Sequence, residues 1–245
     1  MSRQRYRNIA VAILLMACMA GVFVAYTHRT RALGFHTREG EVFATTIVND
    51  RVVAKANGEP IMLSQISYTY LMEKMLYDIQ KAHFEVTPAL SGQFAASAPK
   101  PDPERTLNML VAGRVLAQEV RRKGSKPDQQ VLDKLLPGQQ TLWHQLLHPE
   151  TRIDGLSSMS LDEFTKISGF AQDIFEASGL SEEDFFGKYV QSSIEDGAKL
   201  ATFRAELKQQ GSTLTIDELK ANLQNQATII IVDRAAILSL SQGNP

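Results

Sequence analysis

His144-Gln145-Leu146-Leu147-His148 has the spacing in this chain best suited to metal chemistry. Histidines four residues apart share one face of a helix, so both imidazoles can reach a single divalent cation. A zinc hydrolase built on this frame places a glutamate directly after the first histidine as general base. Here that position is Gln145, whose amide cannot take the proton. Glu150 could serve as a third ligand, but Pro149 marks the end of the helix just before it. The sequence therefore favours an exposed or internally satisfied histidine pair near a helix C-terminus, with no metal and no other cofactor.

Other reaction chemistries find less support. The only cysteine, Cys18, sits in an apolar run, where it is a candidate for lipidation, and no Gly-x-Ser-x-Gly elbow is present. Gly113, Gly124 and Gly138 are isolated, so no phosphate-cradling loop forms; Gly124 and Gly138 read as helix ends. Arg121-Arg122-Lys123 is a basic helix end, favourable to the helix dipole, and not a nucleic-acid patch. Trp143, the only tryptophan, reads as a core or groove residue. No catalytic residue is expected, and the chain reads as one that acts by binding.

Arg3, Arg5 and Arg7 precede an apolar stretch from Ile9 to Tyr26 that contains no charge. As a helix this run is roughly 27 Å long, enough to cross a thin bilayer. It reads as an uncleaved signal anchor; Leu15-Met16-Ala17-Cys18 also resembles a lipobox, and a cleaved signal is the third reading. Setting the three arginines aside leaves 23 basic side chains against 27 acidic ones, without the basic stripe of a nucleic-acid binder. The expected layout is a cytoplasmic tail (1–8), a transmembrane anchor (9–26), a connector (27–46), a folded body (47–236) and a tail (237–245).

The body begins with Arg51 to Leu63, where Asn57-Gly58 between alternating apolar residues predicts a tight hairpin. Pro60 confines the second arm to an edge, and Ser64 is placed to cap a helix running to Phe84. Val86 to Pro103 reads as a long surface loop, and Asp102-Pro103 opens a helix with the stripe Leu107, Leu110, Val111 and Val115. Ser160/Glu163, Ser181/Asp184 and Thr215/Glu218 have capping-box spacing. The helix from Ser181 carries Phe185, Phe186, Tyr189, Val190 and Ile194 on an apolar face. Ala227 to Val232 reads as a strand whose only good partners are the hairpin arms. The predicted fold class is mainly α (α+β): a helical body with a small sheet of N-terminal hairpin and C-terminal strand, preceded by one transmembrane helix.

This order of elements resembles the N-terminal chaperone domain of SurA/PrsA-type periplasmic foldases, related to the peptide-binding module of trigger factor. Arg51 to Ile61 looks like that family's opening strand and turn. Leu107, Leu110, Val111, Arg114, Leu116, Glu119 and Gly124 resemble its second-helix pattern, Gly179 to Phe185 the start of its later long helix, and Ala227 to Val232 its closing strand. The isomerase members add a parvulin domain, whose His-containing first strand and Gly-Gly-x-Leu-Gly stretch have no counterpart here. The resemblance implies a helical cradle, anchored to a bacterial inner membrane with its body in the periplasm, that holds unfolded or exported polypeptides.

In the helix after the hairpin, Tyr70, Met72, Met75, Tyr77 and Phe84 form a surplus of adaptable apolar side chains that suits varied clients. Two other expectations stand beside this one. One is a prolyl isomerase with a degenerate catalytic domain in 125–178; the other is a structural subunit docking on one partner in a membrane complex.

Overall fold

The structure is a computed structural model that describes residues 34–85, 99–151 and 160–243. The 9–26 run, Cys18 and the side chain of Phe84 lie outside the described residues. Among the described residues no helix is long and apolar enough to cross a membrane.

Asn57 and Gly58 have φ of 49° and 83°, the two positive angles that a two-residue hairpin turn requires. They join β1 (Val52–Ala56) to β2 (Glu59–Met62), antiparallel, with Lys55 opposite Pro60. β3 (Ile229–Ile231) pairs antiparallel on the other side of β1, Ala54 facing Ile231 and Ala56 facing Ile229. The order β2-β1-β3 leaves Pro60 on an edge, where its missing N–H disturbs no ladder. Asn57 binds this clasp together. Its backbone N–H donates to the Thr228 carbonyl at 2.8 Å and its Oδ1 accepts from the Thr228 N–H at 2.9 Å. Its Nδ2 donates to Gln118 Oε1 at 2.8 Å, and Gln118 donates in turn to the Ala56 carbonyl.

The segment expected to be a connector contains a helix, α1 (Arg38–Val48), and the compact body begins at His36. Gly40, a poor helix former, obscures this in the sequence, and its purpose is spatial: a Cβ there would fall 2.1 Å from an Asp173 carboxylate oxygen. Asp173 is fully buried. It accepts the N–H groups of His36 and Thr37 at 2.8 and 2.9 Å and the Thr37 hydroxyl at 2.6 Å, with His36 Nδ1 3.0 Å away. Val42 and Phe43 then enter the main core.

α2 (Leu63–Glu85) starts one residue earlier than its expected cap. Ser64 lies inside the first turn, and its N–H and hydroxyl both donate to the Asp50 carboxylate, which satisfies the helix start from outside. α3 (Pro103–Lys123) follows the sequence expectation: Asp102 accepts the Arg105 N–H, Pro103 is the first helical residue, and Gly124 closes the helix at φ 70°. Its Leu107, Val111 and Val115 are buried. α4 (Gln129–Leu147) runs through Pro137 and Gly138, so Gly138 is not a helix end. α5 (Leu161–Ser178) opens on the Ser160/Glu163 capping box.

The helix expected from Ser181 as one piece is broken into α6 (Glu182–Phe185), a π-helical stretch (Phe186–Gln191) and α7 (Ser192–Gln209). Ser181 caps it by accepting the Asp184 N–H, and its hydroxyl donates to the Asp184 carboxylate; the shorter aspartate makes no reciprocal bond to the Ser181 N–H, so the capping box is incomplete. α8 (Ile216–Gln226) has the complete Thr215/Glu218 box, and α9 (Arg234–Ser239) follows β3. The main core joins α1, α2, α3, α5, α9 and the sheet, and takes in Phe185 of α6. A second cluster packs α4 on α5 through Leu146, Leu147, Phe164 and Ala171. A third sets Leu116 and Val120 of α3 against Phe203 of α7.

Candidate functional site

The C-terminal half of α4 and the α6–π segment form a cleft of about 490 Å³, within the size range of small-ligand and side-chain pockets. Fully buried Phe185 is its foundation. Trp143 meets Phe185 edge-on at 5.5 Å, Phe175 does so at 5.6 Å, and Tyr189 lies tilted at 5.0 Å. Such aromatic pairs add about 0.5–1.5 kcal/mol each beyond area burial. Leu136, Trp143, Leu147 and Phe186 supply the apolar lining, with Gln140 and Gln191 as polar points. Tyr189 is 40% exposed beside it. The π-helical turn adds a residue to the local repeat and so rotates the segment after it; turns of this kind recur at functional sites.

His144, His148 and Glu182 stand at the cleft rim. His144 Nδ1 is 3.0 Å from Glu182 Oε1, and His148 Nε2 is 3.1 Å from Glu182 Oε2. The two imidazoles are 4.6 Å apart. The hydrogen bond with His144, supported by that with His148 and opposed by partial burial, holds the Glu182 carboxyl below the usual carboxylate range. Glu150, the carboxylate that sequence spacing put forward, faces the other ring nitrogen of His148 at 3.6 Å. Glu182 was not legible as a partner, because an acidic residue in the first turn of a helix is an ordinary feature.

The residues expected to meet clients fall elsewhere. Tyr70 and Met75 are each 6% exposed and belong to the main core. Burial, above all, raises the Tyr70 phenol above its ordinary value. Met72 and Tyr77 are half-buried, Met72 against the same core. The Met/Tyr surplus of α2 is thus largely consumed by packing, and accessible aromatic surface is found at the α4–α6 cleft.

No protein-family model matches this chain, and no curated protein or solved structure does either.

Proposed function

We propose that the chain is a membrane-anchored, chaperone-like protein whose body, on the periplasmic side of a bacterial inner membrane, holds apolar segments of unfolded or exported polypeptides. The observation that carries this reading is the aromatic-walled α4–α6 cleft. It is large enough for one or two apolar side chains, and polar atoms at Gln140 and Gln191 can meet a peptide backbone. Support also comes from the sheet, whose first and last strands pair as the SurA/PrsA-type resemblance implies. The action is binding without chemistry. In the 125–178 span the described residues form helices and one 3₁₀ turn and no strand, which gives a degenerate isomerase domain little footing.

A second reading, a subunit dedicated to one membrane-complex partner, is favoured by β3. Ile229, Ile230 and Ile231 of this edge strand, and Val232 just after it, are all exposed, a surface suited to strand addition by one partner. Crosslinking in cells with mass-spectrometric readout separates the two. Many unfolded clients crosslinked through the cleft support holding, whereas one dominant partner crosslinked through residues 229–232 supports the subunit. A proline-isomerisation assay on a tetrapeptide should show no rate above buffer.

A further inference from the structure

We infer that His144, His148 and Glu182 form a binding site for a divalent transition metal of the Zn²⁺ type, which joins the two walls of the cleft. This inference rests on the ligand atoms alone and is independent of the polypeptide-holding reading.

Among the described residues this is the only group of three or more histidine, cysteine, aspartate or glutamate side chains whose ligand atoms converge, all within 4.8 Å of one another. Zn²⁺ bound tetrahedrally at about 2.0–2.1 Å separates its ligand atoms by about 3.3 Å. His144 Nδ1 lies 3.0 Å from Glu182 Oε1 and His148 Nε2 lies 3.1 Å from Oε2, so each ring already sits near such an edge with one carboxylate oxygen. A small rotation of the side chains, whose ligand atoms lie within 4.8 Å of one another, brings both rings and a single oxygen onto one ion. Two imidazoles and one carboxylate suit zinc and leave one position open to water or a ligand. Hard cations such as Mg²⁺ and Ca²⁺ prefer all-oxygen sets and are disfavoured.

The protons can be placed. Without metal, each ring donates an N–H to the carboxylate. With metal, His144 Nδ1 and His148 Nε2 carry lone pairs instead, and the protons move to His144 Nε2 and His148 Nδ1. The latter faces Glu150 Oε1 at 3.6 Å. At that distance Glu150 is a neighbouring charge and not a hydrogen-bond acceptor, but its exposed side chain can close the gap, and a carboxylate so placed fixes the tautomer and strengthens the ligand. His144 and His148 come from the end of α4, whereas Glu182 opens α6, so the ion would tie together elements more than thirty residues apart in sequence. The side chains are 52%, 41% and 42% exposed, so a cation can enter without local unfolding.

The test is Zn²⁺ titration of the full chain, free of any polyhistidine tag, by competition with a chromogenic chelator. The expected result is one tightly held Zn²⁺ per chain and a higher melting temperature with Zn²⁺. Glu182→Gln and His144→Ala/His148→Ala should lose both while keeping the native circular dichroism spectrum. Glu150→Gln should keep the stoichiometry but weaken affinity by about tenfold. Co²⁺ should give the intense visible bands of a four-coordinate site in the unaltered chain. Absence of stoichiometric Zn²⁺ binding, or binding unchanged in the ligand variants, overturns the assignment.

Discussion

Asp173 shows how one side chain can fix the start of the body, at His36 and Thr37. A buried carboxylate is tolerated only when its oxygens are met by donors, and His36 and Thr37 meet them with two backbone N–H groups and a hydroxyl. Asp173→Ala leaves those donors facing a void and should destabilise the fold by about 3 kcal/mol or more, read as a lower urea midpoint. Gly40→Ala should cost at least as much, because its methyl would overlap the carboxylate. Asn57 makes a different kind of contribution. Asn57→Ala loses its side-chain bonds to Thr228 and Gln118 and strains a positive φ, for about 1–3 kcal/mol. Asn57→Gly relieves only the strain and should fall between the two.

At the scale of elements, local chemistry was the readable part. Asp102-Pro103, Ser160/Glu163 and Thr215/Glu218 mark helix starts because a cap depends on residues within one turn. The hairpin was legible for the same reason, and β3 because a β-branched run needs a ladder. What could not be read depends on distant partners. Gly40 makes sense only beside Asp173, Ser64 loses its capping role to Asp50, and the π-helical break after Phe185 has no local signal. Glu182 completes the histidine pair from another helix, which spacing cannot reveal.

Caps also set a pH dependence at this scale. The N–H of Ala236, then Arg51, lowers the Asp233 pKa from its ordinary 3.8, and the Thr215 N–H lowers that of Glu218 from 4.5. Because the folded values are depressed, this stabilisation is full above the unfolded values and is lost as pH falls through the folded ones. Thermal melts should therefore show stability falling below about pH 4.5, and Asp233→Asn should flatten that fall. A slope unchanged in this variant would remove Asp233 from the explanation.

For the whole molecule, the sheet closes the body by uniting residues 52–62 with residues 229–231. A hairpin alone is marginal in water, so the body's integrity depends on its C-terminal strand. Truncation before Ala227 also removes Ile237 and Leu240, which are buried in the main core. It should abolish cooperative unfolding, monitored by far-ultraviolet circular dichroism against urea; a cooperative transition in the truncated chain would show that the clasp is dispensable. The same closure fixes α3 against the sheet through Gln118, while the cleft lies on α4 and α6, outside the clasp. Substitutions at the partly buried or exposed cleft residues can therefore be made without touching the clasp, whereas Phe185 belongs to both the cleft and the main core.

The most direct measurement of the proposed polypeptide-holding role is light scattering from a chemically denatured client diluted into buffer with the full chain in detergent. The unaltered protein should suppress aggregation at near-stoichiometric amounts, and Phe186→Asp with Tyr189→Asp, which places charge at the cleft, should abolish suppression while the melting curve stays cooperative. Equal suppression by the unaltered and doubly substituted chains, or none by either, would contradict a holding role for the cleft.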